Sequence, residues 1–328
     1  MARRIKIKGG VPYIANVLPK YSYICFQNIH PLKLLTYLIT YPLLMAVSLL
    51  PYPLLYALSD FLSFLLYKVF KFRLKVVRKN LKLSFPHLSS NERLRIEKEF
   101  YTNLCDVFME MAKNLTISEK QIKKRFVFEN MELINAHEKK GESTILLLGH
   151  YSNWEGMLSI GYHLLGKGYG VYTPLTNKYF NRLISKSREK HKAYLLSRYK
   201  TIDFIRSNEK SGDYGLYGFI NDQSPSPKPK SYWRPFMGTV VPVFTGADRL
   251  AREFNFPVYF TEISRVKRGY YTATVSLLVK DPSKCKENEI TDLFTAKLEA
   301  QIKKDPSQYL WSHNRFKYSH LAPKAALK

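Results

Sequence analysis

The chain reads as an α/β protein: a mixed, largely parallel central sheet flanked by helices, behind an N-terminal membrane-associated helical segment. Three observations predict this. Short apolar runs bounded by turn residues alternate with helical periodicity from about residue 140 to 304. An uncharged stretch fills residues 34–59, and lysines and arginines crowd both of its flanks.

The N-terminal third divides into a basic tail (1–31), an apolar membrane segment (32–67) and the start of a folded domain (68–328). The apolar run LLTYLITYPLLMAVSLLPYPLLYALS would extend about 39 Å as a continuous helix, against about 30 Å for a bilayer core. Pro42, Pro51 and Pro53 interrupt it, so the expectation is a kinked or partly re-entrant membrane segment. A buried core helix is the alternative. The run begins too late for an ordinary signal peptide, and no small-residue cleavage pattern follows it. Residues 1–91 carry 13 Lys/Arg and a single acid, Asp60, with seven of the bases in 68–82. A collar of this kind suits anionic lipid, and a solvated helix face is the plainer reading.

Further elements follow in order. Ser89, Ser90 or Asn91 caps a helix with Glu92 in its first turn, and Leu94, Phe100, Leu104, Val107, Phe108 and Met111 form its stripe. STILLLG (143–149) is a buried strand, 155–165 a helix, 168–175 a strand, 181–199 one basic helix and 214–222 a third strand. SPSPKPK (224–230) is a loop, since three prolines in seven residues forbid regular structure. A helix over 245–255, strands over 257–264 and 270–279, and an amphipathic helix over 289–304 complete the pattern.

Composition narrows the function. With 45% hydrophobic and 14% aromatic residues, the 328-residue chain has ample material for a core. A net charge of +26 attracts anionic partners: nucleic acid, acidic headgroups or an acidic carrier protein. The cysteines, at 25, 105 and 285, are odd in number and far apart, which argues against a disulfide framework or zinc ribbon. The eight histidines are scattered, so no metal site is expected, and no glycine loop suggests a nucleotide. The long uncharged segment and the lack of an RNP-like module argue against nucleic acid.

The chemistry concentrates in ILLLGHYSNWEG (145–156). A buried strand delivers His150 to the start of a polar turn, at the strand end where α/β sheets place ligands. A histidine there can act as a general base, its ordinary pKa being about 6.5, and Glu155 can fix its tautomer. The alternative is a capping box, Ser152-x-x-Glu155, with a plain hydrogen-bonded histidine.

His150-Tyr-Ser-Asn-Trp-Glu155 resembles the H-x4-(D/E) box of glycerolipid acyltransferases, and GHYSNWEG is similar to the form found in the late lipid A acyltransferases, the lauroyl/myristoyl transferases. Other blocks agree in order: VRKNLKLSFPHLSSNER, then SREKHK, which supplies the arginine expected past the glutamate, then FINDQSP, RPFMG and DPSQYLWSHNRFK. Together they span residues 77–317.

The resemblance implies a membrane-bound enzyme at the cytoplasmic face of the bacterial inner membrane. It would transfer a fatty acyl chain from acyl carrier protein, or acyl-CoA, to a hydroxyl of a lipid A precursor, without a cofactor. His150 would deprotonate the acceptor, with Glu155 orienting and charge-balancing it. The oxyanion would be met by amides near Asn153 and by Arg188. Asp222 and Gln223 would position substrate or the arginine. Gly238 would admit a ligand close to backbone or form a plain turn, and Trp311, His313 and Arg315 would brace the crevice. ND before Gln223 and NR in SHNRFK depart from the family's usual residues. Another glycolipid, an aminolipid or a lysophospholipid is the alternative acceptor, and a non-catalytic membrane-anchored lipid-binding protein the alternative class.

Overall fold

The computed structural model describes residues 31–327, so the basic tail, apart from Pro31, lies outside the described residues. Seven strands form one sheet: β1 (Phe126–Glu129), β2 (Thr144–Leu148), β3 (Lys167–Tyr172), β4 (Ala193–Ser197), β5 (Gly215–Ile220) and, after the hairpin β6 (Trp233–Phe236) and β7 (Thr239–Pro242), β8 (Val258–Lys267) and β9 (Tyr270–Val279). Their order is β1-β9-β8-β2-β5-β3-β4. The block β8-β2-β5-β3-β4 is parallel, β9 runs against β8, and β1 runs parallel to β9. The expected mixed, mostly parallel sheet is therefore present. β2, at its centre, is buried at every residue, as its unbroken apolar run requires.

The helices are α1 (Pro31–Leu49), α2 (Tyr52–Phe64), α3 (Leu74–Ser84), α4 (Ser90–Lys113), α5 (Glu119–Arg125), α6 (Glu132–Glu138), α7 (Lys178–Glu189), α8 (Thr201–Ser211), α9 (Gly246–Phe254) and α10 (Glu289–Lys304). One face of the sheet packs on α3, α4, α8, α9 and α10 through residues such as Val77, Phe100, Ile205, Leu250 and Phe294. The other packs on α5, α6 and a 3-10 turn through Ile122, Ile134, Met157 and Ile160. α4 starts in a complete capping box: Ser89 accepts from the Glu92 amide, and Glu92 reaches back to the Ser89 amide. Leu94 and Phe108, expected on its buried stripe, face outward.

Three expectations change. The apolar run is two helices, parted at Pro51. α1 is long and apolar enough to cross a membrane, whereas α2 docks on α4 through buried Ser59, which donates to Asp106 at 2.7 Å, and through Tyr56, which donates to Glu110 at 2.8 Å. The expected basic helix over 181–199 is α7 followed by β4. Lys192, at φ +60, ends the helical path, and Ala193 and Leu196 enter the buried sheet. The helix expected over 155–165 is a 3-10 helix, Trp154–Tyr162. There the chain lies so close to β1 that a Cβ on Gly156 would stand 2.2 Å from the Phe126 ring.

Candidate active site

Strand register assembles the site. β2 and β5 are neighbours with Leu148 opposite Ile220, and each strand then runs two residues further, to His150 and to Asp222. β2 is also where chain order reverses, its partners being β5 on one side and β8 on the other, and a ligand crevice opens at such a switch point. Asp222 is almost completely buried and holds His150 twice: its Oδ2 accepts the His150 backbone N–H at 2.9 Å, and its Oδ1 lies 2.6 Å from the ring Nδ1. A carboxylate only accepts, so Nδ1 carries the proton and Nε2 is left with its lone pair. Gln223 approaches that Nε2 at 3.3 Å.

Burial works against the imidazolium, but the Asp222 carboxylate outweighs it, with a smaller contribution from Glu155, and His150 titrates above its usual 6.5. Burial likewise opposes charge on Asp222. The His150 ring and amide, with Arg315 nearby, nevertheless hold its carboxyl below the ordinary carboxylate range.

The His150 turn is clamped from behind. Tyr151 bridges to Tyr309, the Ser152 amide donates to the Gln308 carbonyl at 2.9 Å, and the Leu310 amide donates to the His150 carbonyl at 3.1 Å. Ser152 adopts φ +53 and its hydroxyl finds no partner among the described residues, so the capping-box reading fails. The cap is Asn153, whose Oδ1 accepts the Gly156 amide at 3.0 Å and whose Nδ2 donates to buried Glu110 at 2.7 Å. Burial pushes Glu110 up to about 7 even though the Tyr56 and Tyr271 hydroxyls donate to it. Asn153 thus anchors the turn, and its cap occupies an amide at the helix start that was expected to meet an oxyanion.

Glu155 faces the same cavity as His150, but both its oxygens are taken by Arg188: Oε1 from Nη2 at 2.7 Å and Oε2 from Nε at 3.2 Å. The orienting partner of His150 is therefore Asp222 rather than Glu155, because β5 presents its carboxylate directly beside the ring. Charge balance from Glu155 survives at longer range. The expected arginine on α7 does reach the site.

The remaining residues serve the 222–224 loop. The Ser224 amide donates to His313 Nε2 at 3.2 Å, and its hydroxyl donates to the Arg315 carbonyl at 2.6 Å. Burial pushes His313 down to about 4, in keeping with a neutral ring that accepts. Arg315 is buried and donates to the Ser224 hydroxyl and the Pro242 carbonyl. Trp311 is fully enclosed against Phe85 and Tyr309. Gly238, at φ +79, is instead the tip of the β6–β7 hairpin, following Met237 at φ +48, and does not line the cavity. Sequence reasoning missed Asn80, whose amide donates to the carbonyls of Trp311 and His313 at 2.8 and 2.7 Å. Its signal was present, since Asn80 is the asparagine of the RKNL block. Glu110 carried no such signal.

The cavity holds about 550 Å³, within the range of small-molecule sites. His150, Glu155, Arg188 and Gln223 stand along it. Leu146, Leu148, Leu216, Met157, Leu158 and Ile160 make it apolar on the side of the 3-10 helix. Its floor there is bare backbone: Gly170 and Gly218 sit opposite one another on β3 and β5. An imidazole whose unprotonated Nε2 is met only by the Gln223 amide, with a carboxylate behind it and an apolar trough beside it, can deprotonate an alcohol next to a bound hydrocarbon chain once that amide gives way.

Comparison with known proteins identifies the family. The family of bacterial lipid A biosynthesis acyltransferases matches residues 27–318. A lipid A biosynthesis acyltransferase of Haemophilus influenzae is 27% identical over 262 residues, covering 76% of this chain and 79% of the relative. The lipid A biosynthesis palmitoleoyltransferase of Escherichia coli is 22% identical over 252 residues, covering 75% and 79%. The family match covers most of the chain, and the chain belongs to the bacterial lipid A biosynthesis acyltransferase family.

Proposed function

We propose that this acyltransferase moves a fatty acyl chain from a carrier-protein thioester to a hydroxyl of a lipid A precursor at the cytoplasmic face of the inner membrane, with His150 as general base. The observation that carries the reading is the 2.6 Å contact between His150 Nδ1 and Asp222, which leaves Nε2 unprotonated beside the apolar cavity, with only the Gln223 amide against it. Nε2 takes the acceptor's hydroxyl proton, and the oxygen attacks the thioester carbonyl. The tetrahedral oxyanion collapses and expels the thiolate, which recovers the proton from the imidazolium. Asp222 keeps the ring in the productive tautomer and stabilises its charged form, as the carboxylate does in a serine-hydrolase triad.

Arg188 is the donor offered to the oxyanion. Its Nε and Nη2 are committed to Glu155, which aims the guanidinium and leaves the Nη1 hydrogens for substrate. Glu155 is thus a positioning residue for Arg188 and a source of negative potential for the imidazolium. Gln223 gives way at Nε2 to the acceptor hydroxyl. The +26 charge favours encounter with an acidic carrier and a phosphorylated acceptor.

The test is transfer of radiolabelled acyl chains from acyl carrier protein to a lipid A precursor by membranes carrying wild type or His150→Ala. General-base catalysis contributes about 10²–10⁴-fold, and a loss of that size is expected. Unchanged transfer by the variant would remove the mechanism. Transfer by wild type only from acyl-CoA, or only to another lipid, would replace the donor or acceptor and keep the base.

A further inference from the structure

We infer that α1 does not cross the membrane. It lies along the catalytic domain as an interfacial helix, and residues 32–72 form a face that beds into one bilayer leaflet. The inference rests on the proposed membrane-lipid acceptor only for the identity of the surface, and the geometry is independent of that reading.

Both ends of α1 are fastened to the same folded body. At its start, the Lys33 carbonyl accepts from Asn177 Nδ2 at 3.1 Å, and the Tyr37 ring stacks on Tyr179 at 5.6 Å and meets Phe180 edge-on at 5.5 Å. These partners lead into and open α7, the helix that carries Arg188. At its end, Lys113 Nζ donates to the carbonyls of Ser48 and Leu50, each at 2.8 Å, and Thr116 donates to the Ser48 carbonyl at 2.6 Å. A buried ammonium there satisfies orphan carbonyls and meets the negative end of the helix dipole. Lys33 and Ser48 are 15 residues apart, about 22 Å along a helix. A span would put these two sets of contacts toward opposite sides of about 30 Å of hydrocarbon. Both sets belong to helices packed on one sheet, so a crossing α1 would have to give up one of them.

What the attached helix leaves outward is apolar. Among the described residues, half of the exposed large hydrophobic side chains fall in 32–72. Leu35, Ile39 and Leu43 on α1 and Leu54, Phe61 and Phe64 on α2 are all exposed, whereas the inward side of α2 is fixed by buried Leu55 and by the buried Ser59–Asp106 contact. Just beyond it, Lys68, Lys71, Lys75, Lys79 and Lys82 are all exposed. An apolar face bordered by ammonium groups fits a leaflet with anionic headgroups, in which an interfacial helix sinks about 5–10 Å.

The test uses two native cysteines in full-length protein. Cys25 lies six residues before α1, and Cys285 is in the catalytic domain. Variants keeping only one of them (the other and Cys105 changed to Ala) are treated with a membrane-impermeant maleimide in inverted and right-side-out vesicles. Both cysteines labelling in the same orientation is expected, and labelling in opposite orientations would overturn the inference. Nitroxide labels at Leu32, Leu35, Ile39 and Leu43 give a second reading that needs no reactivity at Cys25. An interfacial helix places all four at one shallow depth. A span spreads Leu32 and Leu43 over about 16 Å of depth. Labels shielded from lipid altogether, as by a second copy of the chain, would also overturn it.

Discussion

The two faces of the sheet along β3 and β5 receive opposite side chains from the same strands. Tyr169 and Tyr217 point to one face. There Tyr217 stacks on Tyr169 at 5.5 Å and 19° and on Phe256 at 6.0 Å and 26°, and it is fully buried. Their chain neighbours Gly170 and Gly218 point to the other face. A Cβ on Gly218 would meet only the Tyr169 carbonyl, at 3.6 Å, and one on Gly170 only Leu158 and Leu195, at 3.8 Å. The period of two lets a strand devote one face to packing and leave the other empty for a ligand. The cavity curls around the carboxyl edge between them, and His150 stands at that edge.

The contrast can be broken on either side. Tyr217→Ala empties the solid face, and deletion of a large buried ring costs about 3–5 kcal/mol. The expected result is a matching loss of stability in chemical denaturation, with acyl-chain selectivity kept in whatever protein remains folded. On the open face, Gly218→Leu fills the trough. Folding should be retained, while preference moves toward shorter acyl donors by about 10–200-fold, the usual worth of pocket methylenes. Competition between donors of different length reads this directly, and unaltered selectivity would place the acyl chain elsewhere. Smallest is Ser89→Ala, in the capping box of α4 and remote from both faces. It should cost about 1 kcal/mol of stability and leave kcat and selectivity as they were.

The same alternation explains what could be read in advance. β2, β5, β8, β9, α9 and α10 were legible because their apolar periods are clean, and the Ser89 cap because its chemistry is local. β4 was hidden because Ala193–Ser197 follows a basic helix with only Lys192 to mark the break. The hairpin β6–β7 was passed over because its strands are four residues long and each contains a proline. His150, Glu155, Arg188 and Gln223, singled out by strand ends and motif spacing, all line the cavity, and Asp222 contacts His150. Their pairing was not legible. Which carboxylate meets which cation depends on the register between β2 and β5 and on the approach of α7, and neither is encoded within ten residues of His150. Asn153 became a cap, because a cap uses the same residue types as a binding loop, and Gly238 took the plain turn that stood beside its ligand reading.

The central claim is that Asp222 holds His150 as a base with Nε2 unprotonated and facing the cavity. The most direct test is the pH dependence of kcat/KM for acyl transfer in wild type and Asp222→Asn. A base must be neutral, so activity rises with pH through the His150 pKa. In wild type that acid limb should lie above 6.5. Without the Asp222 charge, burial pushes the ring the other way, so the limb should move to lower pH while the plateau falls by about 10²–10⁴-fold, as when a triad loses its carboxylate. An acid limb at the same pH in both proteins, on an undiminished plateau, would contradict the account.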